Sequence, residues 1–480
     1  MTIVPMSGST EPTRYHAIGR GNLSELPEWQ RLDAQLRREI DIVARVLPFR
    51  TNRYVVENLI DWSRVPDDPI FQLVFPQRGM LSEVDFDDVR TLVESSDDSE
   101  ALARAVERIR RRLNPHPGGQ LTHNTATLAG RPLPGVQHKY RETVVFFPAQ
   151  GQTCHAYCTY CFRWAQFVGM QGMRIETRST SELVAYLRAH PEITDVLITG
   201  GDPMIMATRT LRRYIEPLLV PELSHIQNIR IGTKSVAYWP HRFVSDADAD
   251  DCLRLFEEVA AANRHLAIMG HYTHPVELHP ALAREAIRRI RDTGAQIRMQ
   301  APLIRHVNDA PELWSELWRT GVRLGLIPYY MFIERDTGPR DYFSVPLVRA
   351  HEIFRRAAAN VSGLARAAQG PTMSVLPGKI RILGVVARSE LLDSQQPAVL
   401  HNGGGAMPSA DPQEQILVCD FLQARDARLN QTVFFAAFDP GATWLDQMRP
   451  AFGGERFAFE QAGDRDRTAP LHALTECLLD

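Results

Sequence analysis

Lysine is nearly missing from this chain of 480 residues. Of 54 basic residues only Lys139, Lys234 and Lys379 are lysine, and the others are arginine. Codon bias accounts for the excess of arginine, yet it has a chemical consequence. Where arginine has replaced lysine nearly everywhere, a surviving lysine marks a place that needs an amine. A guanidinium cannot form a Schiff base, whereas a desolvated amine can. Cysteine is scarce too, with six in the chain and three of them crowded together. That usage excludes the framework of a secreted disulfide protein and points to a reducing compartment. Long apolar runs are absent: none reaches the roughly 18 residues that span a bilayer. The formal charge of −3 is small, which argues against nucleic acid or an anionic membrane as partner. The first 21 residues are polar, with Gly and Pro, and lack the apolar core of a signal peptide. The expectation is a mobile tail on a cytoplasmic protein. At this length one large domain with appendages is expected, and the balance of 44% hydrophobic and 23% charged residues is that of an ordinary globular protein.

What is present is concentrated in the run CHAYCTYC. Cys154, Cys158 and Cys161 follow a C-x3-C-x2-C spacing that supplies three thiolates and no local fourth ligand. Structural zinc and closed iron–sulfur clusters normally take four protein ligands. Three ligands on a cubane leave one iron free. The arrangement resembles that of radical S-adenosylmethionine (SAM) enzymes, whose free iron chelates SAM and whose cluster cleaves it to a 5′-deoxyadenosyl radical. The rival reading joins the loop to a distant Cys or His to hold zinc or a redox cluster. Cys252, Cys419 and Cys477 are scattered, however, and His155 is too close to Cys154 to ligate easily in the same site. Tyr157 and Tyr160 suit either a shielded cluster or an ordinary core.

Between about 140 and 335, apolar β-rich runs alternate with helical patterns. The runs are ETVVFFPA, TDVLITG, IQNIRIG, HLAIMGHY, AQIRMQAPL and LIPYYMFI. Among the amphipathic segments, STSELVAYLRAH carries a capping box, Ser179 with Glu182. Six strands joined by helices imply an α/β fold with a parallel sheet and right-handed crossovers. Nothing closes eight units, so a partial (β/α)6 barrel is expected. Residues 1–120 are expected to form a tail and helical cap, 121–384 the barrel, and 385–480 a small α+β extension containing ILVCDFL and QTVFFAAFD. The stretch 401–415, rich in Gly and Pro, looks like a linker or long loop.

Chemistry in such sheets gathers at the carboxyl ends of the strands. The cysteine loop follows the first strand. Gly200, Gly201 and Asp202 follow the second, Lys234 the third, and His271 to His274 the fourth. Two glycines after a strand permit close backbone approach, here to the amino and carboxylate groups of SAM.

With these motifs in view the chain resembles the lysine 2,3-aminomutase family of radical SAM enzymes. The resemblance runs from about 45 to 384 and rests on CHAYCTYCFRW, LITGGDPMI, IRIGTK, HYTHPVEL, PLIRHVND and PYYMF. It implies a [4Fe-4S] cluster on Cys154, Cys158 and Cys161. It implies SAM contacts around Gly200, Gly201, Asp202 and His271. It implies migration of an amino group from the α to the β carbon of an amino acid, with pyridoxal phosphate (PLP) as electron sink. Arg163 stands where the family binds the substrate α-carboxylate, Lys379 roughly where it binds PLP, and Tyr140 where an aromatic ring packs beside the cofactor. An electron donor such as flavodoxin or ferredoxin is implied as partner.

The departures are as informative. Only Gly378 precedes Lys379, where the family has a glycine run. Thr143 replaces an arginine near the PLP phosphate, and Lys139 stands for another arginine. Where the family holds the distal ammonium of lysine, Arg335 or Asp336 aligns at one position and Val375 near the other, so lysine is not a secure substrate and an acidic side chain would suit an inward Arg335. The family's C-terminal zinc cysteines are missing, with Ala310 at the first, so a homo-oligomer is left open. Two alternatives stand beside the aminomutase reading: a PLP-independent radical SAM enzyme that eliminates, epimerises or oxidises, and a non-catalytic iron–sulfur or zinc protein.

Overall fold

The computed structural model describes residues 14–95, 99–114, 124–170, 172–392 and 414–460. The N-terminal tail over 1–13, nearly all of the expected loop at 401–415, and Cys477 lie outside them.

A twelve-stranded sheet organises the chain, and its strands lie side by side in sequence order. An antiparallel hairpin, β1 (Thr125–Leu128) and β2 (Arg131–Tyr140), leads into β3 (Thr143–Phe146). From β3 the sheet is parallel through β4 (Asp195–Ile198), β5 (Asn228–Thr233), β6 (His265–His271), β7 (Gln296–Leu303) and β8 (Ile327–Ile333). All six apolar runs are strands. A seventh parallel strand, β9 (Gln369–Ser374), follows β8. The sequence hid it because QGPTMS contains Gly, Pro and polar residues rather than an apolar run. Gly370 is there for a steric reason: a Cβ would lie 2.8 Å from the Met331 carbonyl oxygen.

The sheet then turns antiparallel through β10 (Gly378–Ala387), β11 (Gln415–Ala424) and β12 (Val433–Ala437). Residue 384 therefore lies inside β10, and the strands beyond it prolong the same sheet.

A singly wound order with right-handed crossovers puts the connecting helices on one face. The helices α6 (Ala249–Ala261), α7 (Ala281–Asp292), α8 (Pro311–Arg323) and α9 (Leu347–Ala359) pack on β6 to β9 in turn. Earlier in the chain, α4 (Thr180–Ala189) and α5 (Thr208–Ile215) fill the crossovers to β4 and β5. Ser179 caps α4, accepting from the Glu182 N–H at 3.2 Å, while its own N–H goes to Thr177 Oγ1 at 3.1 Å. Half of the expected capping box therefore forms, because Thr177 takes the donor that Glu182 would have bonded.

The N-terminal region is helical, with α1 (Ala34–Val46), α2 (Glu83–Glu94) and α3 (Ser99–Leu113) packed on one another. Among the described residues no helix is long and apolar enough to cross a membrane.

Along the parallel strands burial alternates. In β5, Ile229, Ile231 and Thr233 are buried while Asn228, Arg230 and Gly232 are half-buried. Side chains on a strand point alternately to opposite faces. The isoleucines of β5 thus join the core under the helices. The register places Leu197, Arg230 and Ala267 on the other face, together with Arg298, His271 and Gln300 on the strands beyond. A polar stripe on the helix-free face of a parallel sheet is costly unless it lines a place for ligand or water.

Candidate active site and cofactor pocket

The cysteine loop leaves β3 at the carboxyl end of the sheet and is clamped from several directions. Its Tyr157 N–H donates to the Arg50 carbonyl and its Thr159 N–H to the Leu73 carbonyl, each at 2.8 Å. Asn52, fully buried, donates to the carbonyls of His155 at 3.2 Å and Tyr238 at 3.1 Å. His155 bonds Ser235 Oγ at 2.8 Å, and burial pushes its pKa down to about 3. It is a neutral structural residue rather than a metal ligand.

Cys154, Cys158 and Cys161 are half-buried free thiols. Burial raises all three pKa values, Cys161 to about 12, and each thiol is raised further by, or itself raises, another of the three. Among the described residues no three His, Cys, Asp or Glu side chains meet closely enough to hold one metal ion. A cluster's positive iron would offset the cost of forming thiolates there.

The glycine pair serves this loop directly. The Gly201 N–H donates to the Gly151 carbonyl at 2.9 Å, and the Asp202 N–H to the Thr153 carbonyl at 2.8 Å. A Cβ on Gly201 would lie 2.5 Å from the Thr153 carbonyl oxygen, and one on Gly200 2.5 Å from Gln152 Nε2. Both glycines are thus required by loop-on-loop packing, before any contact with SAM. Asp202 is engaged within the chain as well. One carboxylate oxygen accepts from the Met204 N–H at 2.9 Å and Thr233 Oγ1 at 2.7 Å. The other accepts from the Lys234 N–H and from Ser235 Oγ, both at 2.9 Å. Asp202 therefore ties the end of β5 to the loop after β4, and its oxygens are used within the chain.

Lys234 is likewise consumed. Its Nζ donates to Glu277 at 2.6 Å, Thr273 Oγ1 at 3.0 Å and the His271 carbonyl at 3.3 Å. The His271 ring lies 3.0 Å from Gln300 Nε2, and burial with the Lys234 charge holds it neutral, its pKa at about 3.

Lys379 differs from Lys234 in every respect. It lies at the start of β10, opposite Ser374, and is 9% exposed. Its Nζ stands 3.8 Å from the centre of the Tyr330 ring and 5.5 Å from that of Phe332. No hydrogen bond or ion pair of this amine occurs among the described residues. Burial, then the charges of Lys139 and Arg230, push its pKa well below the usual lysine value. Beside it, the Tyr140 hydroxyl is buried without a partner, and Lys139 Nζ is 5.6 Å from the Tyr140 ring. Burial pushes Lys139 down to about 8, and Arg335, Arg425 and Arg230 add to the effect.

Arg163 sits two residues past Cys161. Its Nη2 donates to Gln166 at 3.1 Å, while its Nε and the Gln166 amide nitrogen are buried without partners. Both residues line a cavity of about 20 Å³ with Phe162 and Asn114, room for about one water-sized group. Arg335 links this end of the site to the lysine pocket. Its guanidinium lies 5.5 Å from the Phe162 ring, and its charge acts on Lys139. Asp336 pairs with it at 3.6 Å.

Sequence reasoning missed four groups. Arg230, charged within an apolar strand, carried a legible signal. Tyr330 lay inside an anchor motif but had no sign of its contact with Lys379. Glu334, buried with both carboxylate oxygens unpartnered, and Arg425, from beyond β11, had none.

No family model matches the chain. A provisionally named L-lysine 2,3-aminomutase of Aquifex aeolicus is 31% identical over 363 residues, which is 75% of this chain and 83% of that protein. The L-lysine 2,3-aminomutase of Bacillus subtilis is 26% identical over 279 residues, 58% of this chain and 55% of its own length. That of Clostridium subterminale is 26% identical over 232 residues, 48% of this chain. The chain thus spans about half the length of these last two relatives, 55% and 52%. A solved radical SAM methyltransferase from Sphaerobacter thermophilus is 17% identical, covers 50% of this chain and 68% of its own, and overlays with a TM-score of 0.34, too loosely to bear on the fold. The likeness to the Aquifex protein spans most of both chains, and by it this chain belongs to the lysine 2,3-aminomutase family of radical SAM enzymes.

Proposed function

We propose that the chain is a radical SAM isomerase that moves an amino group from the α to the β carbon of an amino acid, with PLP held on Lys379 inside a partial barrel. The observation that carries the reading is the state of the three lysines. Lys234 is locked in a buried ion pair, Lys139 is half-buried, and Lys379 alone is a buried amine resting on two aromatic faces. Burial that lowers an amine's pKa raises the share of its nucleophilic free base.

When bound, SAM on the cluster supplies a hydrogen-abstracting radical and PLP supplies an electron sink. The chain's own residues do the positioning. Cys154, Cys158 and Cys161 would hold the cluster, and the Asn52 and Asp202 networks fix the loop that carries them. Arg163, with an unused buried N–H, suits the α-carboxylate of the substrate. Tyr140 would pack beside the cofactor ring, and the Tyr330 and Phe332 rings lie near the Lys379 amine.

The test is borohydride reduction of the reconstituted protein with PLP, followed by peptide mapping. The expected result is a pyridoxyl group on Lys379. An intact cluster with no label on any of the three lysines would overturn the PLP reading in favour of PLP-independent radical chemistry.

A further inference from the structure

We infer that Gln166 and Asn114 complete, together with Arg163, a cavity that receives one oxygen of a carboxylate, the α-carboxylate of the amino acid substrate. The inference rests on the role given to Arg163 above and adds to it two residues that the sequence motifs leave without one.

The place of the cavity follows from strand alternation. Val145 on β3 pairs with Leu197 on β4, and Leu197 with Arg230 on β5, so all three belong to the helix-free face. Phe147 lies two residues beyond Val145 and packs with it, Leu197 and Ile175 in a small apolar cluster. The Arg163 guanidinium carbon stands 4.4 Å from the centre of the Phe147 ring. Ile175 belongs both to that cluster and to the lining of the cavity of about 20 Å³. The cavity therefore sits over the helix-free face at the carboxyl end of β3, beside the segment that follows Cys161.

The unsatisfied groups of its lining are all donors. Arg163 Nη2 donates to Gln166 Oε1 at 3.1 Å. A guanidinium only donates, so the oxygen of Gln166 is the atom that faces it and Nε2 is turned elsewhere. That Nε2 and Arg163 Nε are both buried without a partner, and Gln166 as a whole is 8% exposed. Asn114 follows α3 and is 7% exposed. Its Oδ1 accepts from Thr337 Oγ1 at 3.2 Å, and its Nδ2 donates to the Met173 sulfur at 3.3 Å. A thioether is a weak acceptor, so this N–H is poorly satisfied. Among the described residues no Asp or Glu lines the cavity. The Arg163 charge excludes a cation. A water molecule must donate as well as accept, and the side-chain oxygens of Gln166 and Asn114 already accept from Arg163 and Thr337. A carboxylate oxygen accepts only, and it brings the negative charge that matches the guanidinium. The space admits one oxygen, so the rest of the ligand stays outside it.

The probe is acetate, with acetamide as its uncharged counterpart, and binding to the full chain is read by saturation-transfer NMR of the methyl group. The chain is reconstituted with its cluster and SAM, so that no open iron is left for acetate, and no PLP is added. Acetate should bind, and acetamide at least about tenfold more weakly. Gln166→Leu should weaken acetate by about 10- to 100-fold, the range for losing a hydrogen bond to a charged group. Asn114→Ala should weaken it by about 3- to 10-fold, and it is the variant to read if Gln166→Leu melts early. Gln166→Glu should abolish binding, since the new carboxylate takes the guanidinium. L-Alanine should displace acetate, and L-alaninamide should not. Equal acetate affinity in the wild type and all three variants, or acetamide bound as tightly as acetate, would overturn the inference. So would a wild-type chain that binds no acetate, or acetate that L-alanine fails to displace. These results stand apart from the borohydride test. Acetate bound as expected by a chain that takes no pyridoxyl label would overturn the PLP reading alone.

Discussion

The chemistry of the site turns on single groups whose environments set their charge. Lys379 is buried without a counter-charge, so its folded-state pKa lies below the roughly 10.4 of an unfolded lysine. Between that lowered value and about 10, the unfolded chain binds a proton there that the folded chain does not. Stability of the cofactor-free protein should therefore rise with pH up to about 10 and fall as pH drops. Lys139, with its pKa pushed to about 8, adds in the same sense. Lys379→Met should raise the melting temperature at pH 7 by roughly 1–3 °C and flatten its pH dependence. A melt that is unchanged in both respects would show that the amine is charged and satisfied in the folded state. Arg163→Ala should raise KM for the substrate about 10- to 100-fold while leaving cluster absorbance intact, and unchanged kinetics would remove it from the site. At this scale the sequence located the crowded cysteines and the three lysines, whose surroundings the structure then describes. It gave no sign of the bonds within the chain that Asp202 and the glycine pair make, because spacing gives a residue's place along the chain and not the partners that occupy its atoms.

Among the elements, the cysteine loop depends on groups far away in sequence. Asn52 precedes it by about a hundred residues, yet its side-chain amide bonds two carbonyls and its oxygen caps the Arg53–Asn58 helix, accepting from Val55 at 3.1 Å. Replacing it with Ala leaves buried carbonyls unpaired, at a cost of about 2–4 kcal/mol. Asn52→Ala should reconstitute with less iron and sulfide per chain, and full cluster content would refute the clamp. Gly201→Ala should act similarly by pushing on Thr153. The six apolar strands were legible because each carries several large aliphatic or aromatic side chains between helical patterns and turn residues. β9 was not, since its residues answer to the close approach of Met331 rather than to burial of large side chains.

On the scale of the whole molecule, one sheet runs from β1 to β12, and the last two strands cover the edge of the strand that carries Lys379. Phe421, Phe434 and Phe457 form a small aromatic core beneath them. Ending the chain at residue 413 should expose both the β10 edge and apolar surface, so the truncated protein should aggregate or melt broadly. A soluble truncated chain with a sharp melt would show the extension to be dispensable for folding. Periodicity identified these strands, but it gave no sign that they continue the main sheet, because pairing partners are not written in either strand alone.

The burial of the few lysines also makes the protein an unusual reagent. Lys234 has a side chain 11% exposed and engaged by Glu277, Lys379 is buried, and Lys139 is half-buried. Aldehydes and active esters usually decorate a dozen surface amines on a protein of this size, and their signal has to be sorted from that background. Here, apart from the α-amino terminus, the solvent-facing surface offers almost no primary amine. Amine-reactive dyes should leave the lysines of the folded chain nearly unlabelled, so a label beyond the α-amino group reports on the surroundings of these buried side chains.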